Sequence, residues 1–151
     1  MCLFGCGVST GLGAAWNTCN VEAGSSVAVF GLGAVGLAIV QAAKMRGATR
    51  IFGVDVNATK FTIAKELGCT DCIDPKSLPE GTSVQAFIVE QTKWGVDYTF
   101  DATGNVQVMR SALECAHRGW GQCCVVGVAP AGHEISTRPF QLITVIALCI
   151  L

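Results

Sequence analysis

The hexapeptide Gly31-Leu32-Gly33-Ala34-Val35-Gly36 constrains this chain more than any other stretch, because it joins a short apolar run, Val27 to Phe30, to a longer segment of helical period, Ala34 to Arg46. A strand that turns at once into a helix needs three things of its backbone: a tight bend, room for a ligand to approach, and close contact between helix and strand. The glycines of a G-x-G-x-x-G turn meet those needs in that order. The helix start adds unpaired N–H groups and a positive dipole end, so a pyrophosphate suits the turn. Alone, the hexapeptide also fits an ordinary glycine-rich turn.

From Ser26 onward, β-branched runs alternate with helical periods, which predicts βαβ units around a parallel sheet. Strands are expected at Val27–Phe30, Arg50–Val54, Thr70–Ile73, Val96–Phe100 and Gln122–Val128. Between them, Asn57 is expected to cap a helix bearing Phe61, Ile63, Ala64 and Leu67, which Gly68 stops. Val84–Thr92 reads as a helix with Val84, Phe87, Ile88 and Gln91 inward, and Val106–His117 as one with Val106, Met109, Leu113 and Ala116 inward. The expected fold class is α/β, a Rossmann-type doubly wound parallel sheet. The stretch up to Asn20, which contains Trp16, belongs to no βαβ unit. Residues 1–24 are therefore read as an entry segment, 25–144 as the nucleotide-binding domain and 145–151 as a hydrophobic tail.

Asp55 lies 19 residues after Gly36, at the end of the second expected strand, where a carboxylate can accept hydrogen bonds from an adenosine ribose. The same charge repels a 2'-phosphate, which favours NAD over NADP, and Lys60 stands five residues on to support the ribose rim. Thr103-Gly104-Asn105, after Asp101, and Val126-Gly127-Val128 close the fourth and fifth strands. Open α/β sheets bind ligands at those carboxyl ends, although plain turn chemistry explains the same residues.

Charged residues are only 14% of the chain and the net charge is -1, so no basic run supports nucleic-acid binding or attraction to an anionic membrane. The uncharged stretch 23–43 is long enough to span a bilayer, but Gly31, Gly33 and Gly36 break it as a strand, turn and helix would. A small molecule is the expected partner. The nine cysteines would suggest a disulfide scaffold in a short secreted chain, but Met1 to Cys6 has no basic n-region, so a reducing cytoplasm and free thiols are expected. Cys69-Thr70-Asp71-Cys72 has C-x-x-C spacing without a second pair and is taken as coincidence, Cys123 and Cys124 as packing residues on opposite strand faces, and His117 and His133 as surface residues.

The segments Gly5 to Gly11, Gly31 to Gly36, Gly95 to Tyr98, Gly104 to Val106, Ser111 to Trp120 and Glu134 to Leu142 closely resemble the zinc-dependent medium-chain alcohol dehydrogenases. The nearest type is class III, the glutathione-dependent formaldehyde dehydrogenases, and the likeness runs from Cys2 to about Thr144. The resemblance implies hydride transfer from S-(hydroxymethyl)glutathione or a primary alcohol to NAD, aided by zinc, in a cytoplasmic homodimer. It also implies roles for single residues. Cys6 would be a zinc ligand, Thr10 would lie by the nicotinamide, Asp55 would hold the ribose, Val126 and Val128 would line the nicotinamide pocket, and Arg118 would look toward the glutathione carboxylate.

The pattern departs from that family in two ways. Cys6 is the sole zinc ligand of the motif present, and one cysteine does not hold a catalytic zinc tightly. After Thr144, Val145 to Leu151 replaces the family's Gly-Arg and aromatic-Lys-Gly run. The expectation is a nucleotide-binding domain truncated at both ends and inactive alone. A non-catalytic nucleotide-binding module and another alcohol or polyol dehydrogenase are the alternatives.

Overall fold

The computed structural model describes residues 5–144 and 147–150. Six strands form one sheet in the order β3-β2-β1-β4-β5-β6, with every neighbouring pair parallel. They are β1 (Ser26–Phe30), β2 (Arg50–Val54), β3 (Asp71–Ile73), β4 (Tyr98–Asp101), β5 (Gln122–Val125) and β6 (Ala147–Ile150). The helices are α1 (Gly7–Gly13), α2 (Ala34–Met45), α3 (Phe61–Leu67), α4 (Val84–Thr92), α5 (Val106–Cys115) and α6 (Pro139–Thr144). This is the doubly wound order whose direction of winding reverses between β1 and β4, leaving a crevice at their carboxyl ends.

Alternation along the strands builds two cores. Val27, Val29, Ile51, Phe100 and Cys124 face α2 and α1, whereas Ala28, Phe30, Phe52, Val54 and Cys123 face α4 and α5. Cys123 and Cys124 thus sit in separate cores, as their adjacency in a strand requires. Phe30, Phe52 and Phe100 are fully buried, and each stabilises the fold by about 1.5–3 kcal/mol relative to exposure.

Several local expectations are corrected. α5 stops at Cys115 because Ala116 is extended and the His117 N–H donates to the Val96 carbonyl at 2.7 Å. Val96 joins no named strand; it forms a single bridge with Ala116, and β4 begins at Tyr98. β5 ends at Val125, since the N–H groups of Val126 and Gly127 both donate to the Asp101 carbonyl and the chain leaves the ladder there. β3 begins at Asp71, with the Thr70 N–H on the Ile51 carbonyl, and a 3-10 turn over Ala58–Lys60 precedes α3. Gln91 is exposed rather than inward, and its carbonyl accepts from Arg50 Nη1 at 2.9 Å. His117 is half-buried and stacks on Trp120 at 4.7 Å between ring centroids, so it is not a plain surface residue.

The opening stretch is helical and continues through a wider helical turn over Ala14–Thr18. Gly7 and Gly11 face α2: a Cβ on Gly7 would lie 3.3 Å from Ala34 Cβ, and one on Gly11 would lie 2.5 Å from the Val35 carbonyl oxygen. These small residues let α1 run alongside α2, with Ala14 and Ala15 entering the core. Within 145–151, residues 145, 146 and 151 lie outside the described residues. Ala147–Ile150 extends the sheet as β6, with Cys124 opposite Cys149 in register.

Candidate functional site

β1 ends directly in the glycine turn. Gly31 has φ +91°, a conformation that favours glycine, and a Cβ there would lie 2.8 Å from Thr103 Cγ2 and 3.1 Å from the Ala102 carbonyl oxygen. Gly36, in the first turn of α2, would drive a Cβ into the Gly31 carbonyl oxygen. Gly33 differs from both. It is the N-cap of α2 with φ -81°, and a Cβ on it would meet no atom within 4 Å. The second glycine therefore borders open space at a helix N-terminus, which is where a pyrophosphate would need the backbone to be bare. Leu32 is buried, while Ala34 is exposed and Val35 half-buried at the helix start.

Asp55, just past β2, is tied into the same turn. Its Oδ2 accepts from the Leu32 N–H at 2.8 Å and from Lys60 Nζ at 2.8 Å, and its Oδ1 accepts from the Asn57 N–H at 2.9 Å. A carboxylate has about four acceptor sites, so capacity remains on Oδ1 for a sugar hydroxyl. Burial pushes the Asp55 carboxyl up, but the Lys60 ammonium and the two backbone N–H groups outweigh it and hold the carboxyl below its ordinary value. A depressed acid stabilises the fold fully above the ordinary carboxylate value and loses that contribution as pH falls through the depressed one. In acid titrations followed by circular dichroism, Asp55→Asn is expected to lower stability at neutral pH and to flatten the decline below about pH 4.

The loops after β4 and β5 are pinned by Asp101, which is fully buried. Its carboxylate accepts from Thr103 Oγ1 at 2.6 Å and from the N–H groups of Thr103 and Gly104 at 3.3 Å each. Burial raises its carboxyl above the usual range against those hydrogen bonds, the opposite of Asp55. Asn105 caps α5, accepting from the Gln107 N–H at 2.9 Å. Val126 is half-buried against the α2 core, and Val128 stands 88% exposed at the carboxyl edge.

A cleft of about 580 Å³ opens at this edge, lined by Gly31, Gly33, Asp55, Lys60 and Thr103. Its other wall comes from residues that the sequence did not mark as site residues, among them Val56, Pro75, Val84, Gln107 and Ser111. They belong to the turn after β2, the turn after β3, the start of α4 and α5; no motif marks them, because their relevance comes from packing α4 and α5 into the core with Phe30 and Val54.

The site residues from other segments divide into two groups. Cys6 is exposed at the N-cap of α1, and Gly7 beside it packs on Ala34, so the α1–α2 contact carries Cys6 to the glycine-turn end of the sheet. Thr10 lies one helical turn on, its N–H donating to the Cys6 carbonyl at 2.9 Å. Arg118 is not brought to these residues. It lies in the loop entering β5, with its N–H on the carbonyl of Trp94 ahead of β4, at the amino edge of the sheet. Among the described residues, no group of three or more His, Cys, Asp or Glu could hold a metal ion. The chain's own residues thus fit a dinucleotide and do not by themselves fit a zinc site.

A parallel sheet in this strand order, with a bare-glycine turn and an acidic residue on the neighbouring strand, defines a Rossmann-type dinucleotide fold. Residues 34–148 match the family model described as zinc-binding dehydrogenase, and the chain belongs to that family. It is 60% identical over 144 residues to an S-(hydroxymethyl)glutathione dehydrogenase of Synechocystis sp., covering 95% of this chain and 38% of the relative. It is 61% identical to an alcohol dehydrogenase class-3 of Caenorhabditis elegans, covering 94% and 38%. Among solved structures, an alcohol dehydrogenase zinc-binding domain protein from Burkholderia ambifaria superposes with a TM-score of 0.90 at 35% identity, covering 98% of this chain and 39% of that one. Benzyl alcohol dehydrogenase from Acinetobacter calcoaceticus gives 0.88 at 32%, covering 97% and 40%. The chain therefore spans under two fifths of the length of the two sequence relatives.

Proposed function

We propose that this chain is the NAD-binding part of a zinc-dependent dehydrogenase that transfers a hydride from S-(hydroxymethyl)glutathione, or a related primary alcohol, to NAD. The observation that carries the nucleotide assignment is the open space over Gly33 at the N-terminus of α2, with the Asp55 carboxylate one strand away. Identity of about 60% to relatives named for the glutathione adduct supports the substrate class.

In this reading Gly31 to Gly36 receive the pyrophosphate, and Asp55 and Lys60 take the adenosine ribose. Thr103, Gly104 and Asn105 form the crevice wall, and Val126, Gly127 and Val128 border the nicotinamide with Thr10. NAD, when bound, supplies the hydride acceptor. The work of the chain is to hold that ring at the carboxyl edge and to exclude water with Val126 and Val128. Cys6 would contribute one zinc donor among donors from outside this chain. Arg118 would look toward the glutathione carboxylate from the amino edge, outside this crevice.

Residues 25–144 form the nucleotide-binding unit in this reading, with Ala147–Ile150 adding β6 to its sheet, and 1–24 connect it to a zinc-bearing catalytic domain. A cytoplasmic homodimer is the setting of the parent enzyme. The described cysteines form no disulfide, and no described helix is long and apolar enough to cross a membrane.

Nucleotide discrimination tests the assignment. By calorimetry the chain is expected to bind NADH at least about tenfold more tightly than NADPH, a difference of about 1.4 kcal/mol, and Asp55→Asn to narrow the gap. Equal affinity for both nucleotides contradicts the role given to Asp55. Formaldehyde with glutathione is expected to yield no NADH with the chain alone, measured by absorbance, and rapid turnover would overturn the need for outside zinc donors.

A further inference from the structure

Away from the nucleotide crevice, two thiols meet at the β3 edge of the sheet. Cys72 Sγ donates to Cys69 Sγ at 3.6 Å. The local chain path explains the contact. Gly68 ends α3 in the left-handed region, the Cys69 N–H returns to the Ala64 carbonyl at 2.9 Å, and the Thr70 N–H pairs with Ile51 at 2.8 Å. This turn folds Cys69 back beside Cys72, so C-x-x-C spacing that makes no metal site becomes a thiol pair. Cys69 is 6% exposed and Cys72 is half-buried.

We propose that Cys69 and Cys72 are a redox pair that a hydroperoxide converts reversibly to an intrachain disulfide. The more accessible Cys72 reacts first. Its thiolate sulfur attacks the peroxide O–O bond; an S–O bond forms, the O–O bond breaks, and the departing alkoxide takes a proton to leave as the alcohol. Cys72 is then a sulfenic acid. The Cys69 sulfur attacks it; an S–S bond forms, the S–O bond breaks, and hydroxide leaves with the Cys69 proton as water. Two thiols give up two electrons and the hydroperoxide is reduced to an alcohol and water, with no further reactant. Burial, reinforced by neighbouring Cys72, pushes the Cys69 thiol up to about 12. That keeps Cys69 protonated and leaves the first attack to Cys72, while contact at 3.6 Å puts Cys69 in place for the second.

Among the other described cysteines, Cys19 and Cys124 also meet through a side-chain hydrogen bond, but both are buried and neither offers an accessible thiol to start the reaction. Cys115 and Cys123 are fully buried, and Cys6 is exposed at the other end of the fold. Closing the bond draws the sulfurs from 3.6 Å to about 2.05 Å, and the strand that must give is the three-residue β3. Cys69 Sγ lies 3.2 Å from the carbonyl oxygen of Ile51 in β2, which leads to Asp55. Cys72 Sγ lies 3.9 Å from the carbonyl of Phe61, which follows Lys60. Oxidation therefore pulls on both segments that hold the ribose clamp and weakens nucleotide binding, a consequence that rests on the NAD reading above.

The test uses the whole chain treated with hydrogen peroxide, blocked with N-ethylmaleimide and digested with trypsin. Both thiols fall in one peptide, residues 66–76, with no other cysteine. The expected result is an unblocked peptide lighter by two hydrogens, which accepts two blocking groups after reduction. Cys69→Ser should leave Cys72 as a sulfenic acid trappable by dimedone. A peptide that stays doubly blocked while Cys6 is consumed overturns the proposal, as does Cys72 driven to sulfinic acid beside an intact Cys69 thiol. NADH titration of the oxidised chain is expected to show affinity several-fold weaker, restored by dithiothreitol. Unchanged affinity with the disulfide formed overturns the coupling. A reduced chain that binds no NADH defeats the nucleotide reading and leaves the disulfide result standing.

Discussion

Gly36→Ala is expected to remove much of the stability of this domain. The new Cβ would be built into the carbonyl oxygen of Gly31, and that backbone cannot simply step aside. The Gly31 N–H is held by the Val54 carbonyl at 2.8 Å, and its Cα faces Thr103 Cγ2 and the Ala102 carbonyl. Overpacking against movable side chains costs about 1–3 kcal/mol. Here the obstacle is backbone fixed between β2 and β4, so we expect a loss above about 3 kcal/mol, out of the roughly 5–15 kcal/mol that a domain possesses. Urea unfolding measures it; an unchanged midpoint would mean that α2 does not start against β1 as described.

Gly33→Val is expected to do the reverse, sparing the fold and abolishing nucleotide binding. Gly33 has an extended backbone, φ -81° and ψ -168°, that a β-branched residue adopts readily, and nothing lies within 4 Å of its Cβ direction. The unfolding midpoint should therefore stay close to that of the unsubstituted chain. The same empty volume is where the pyrophosphate must approach the α2 N–H groups, and an isopropyl group there separates the two. A loss of at least about 100-fold in NADH affinity, or about 2.7 kcal/mol, is expected. The contrast between neighbouring glycines separates structural glycine from ligand-facing glycine within one turn.

Those glycines were legible in the sequence because their spacing is a local property, and so was Asp55, whose place at a strand end follows from counting along one βαβ unit. Arg50–Val54 and Val84–Thr92 were likewise legible from local patterning, and they are β2 and α4 as found. Tertiary contacts decided what the sequence reading got wrong. β5 is shorter than its β-branched run because the Asp101 carbonyl captures Val126 and Gly127, an event 25 residues away in sequence. Arg118 carries a role by resemblance only; chain direction in a parallel sheet puts its loop, before β5, at the edge away from the crevice. The docking of α1 on α2 was invisible, because it depends on how two segments face one another, and the C-x-x-C spacing of Cys69 and Cys72 was visible without the turn that brings the two sulfurs together.

Calorimetric titration of NADH into the unsubstituted chain and into Gly33→Val, at matched concentrations of folded protein, tests the central claim most directly. The account predicts saturable heat in the first and none in the second, with the same urea midpoint for both. Equal heats in the two proteins, or no heat in the unsubstituted chain, would contradict it.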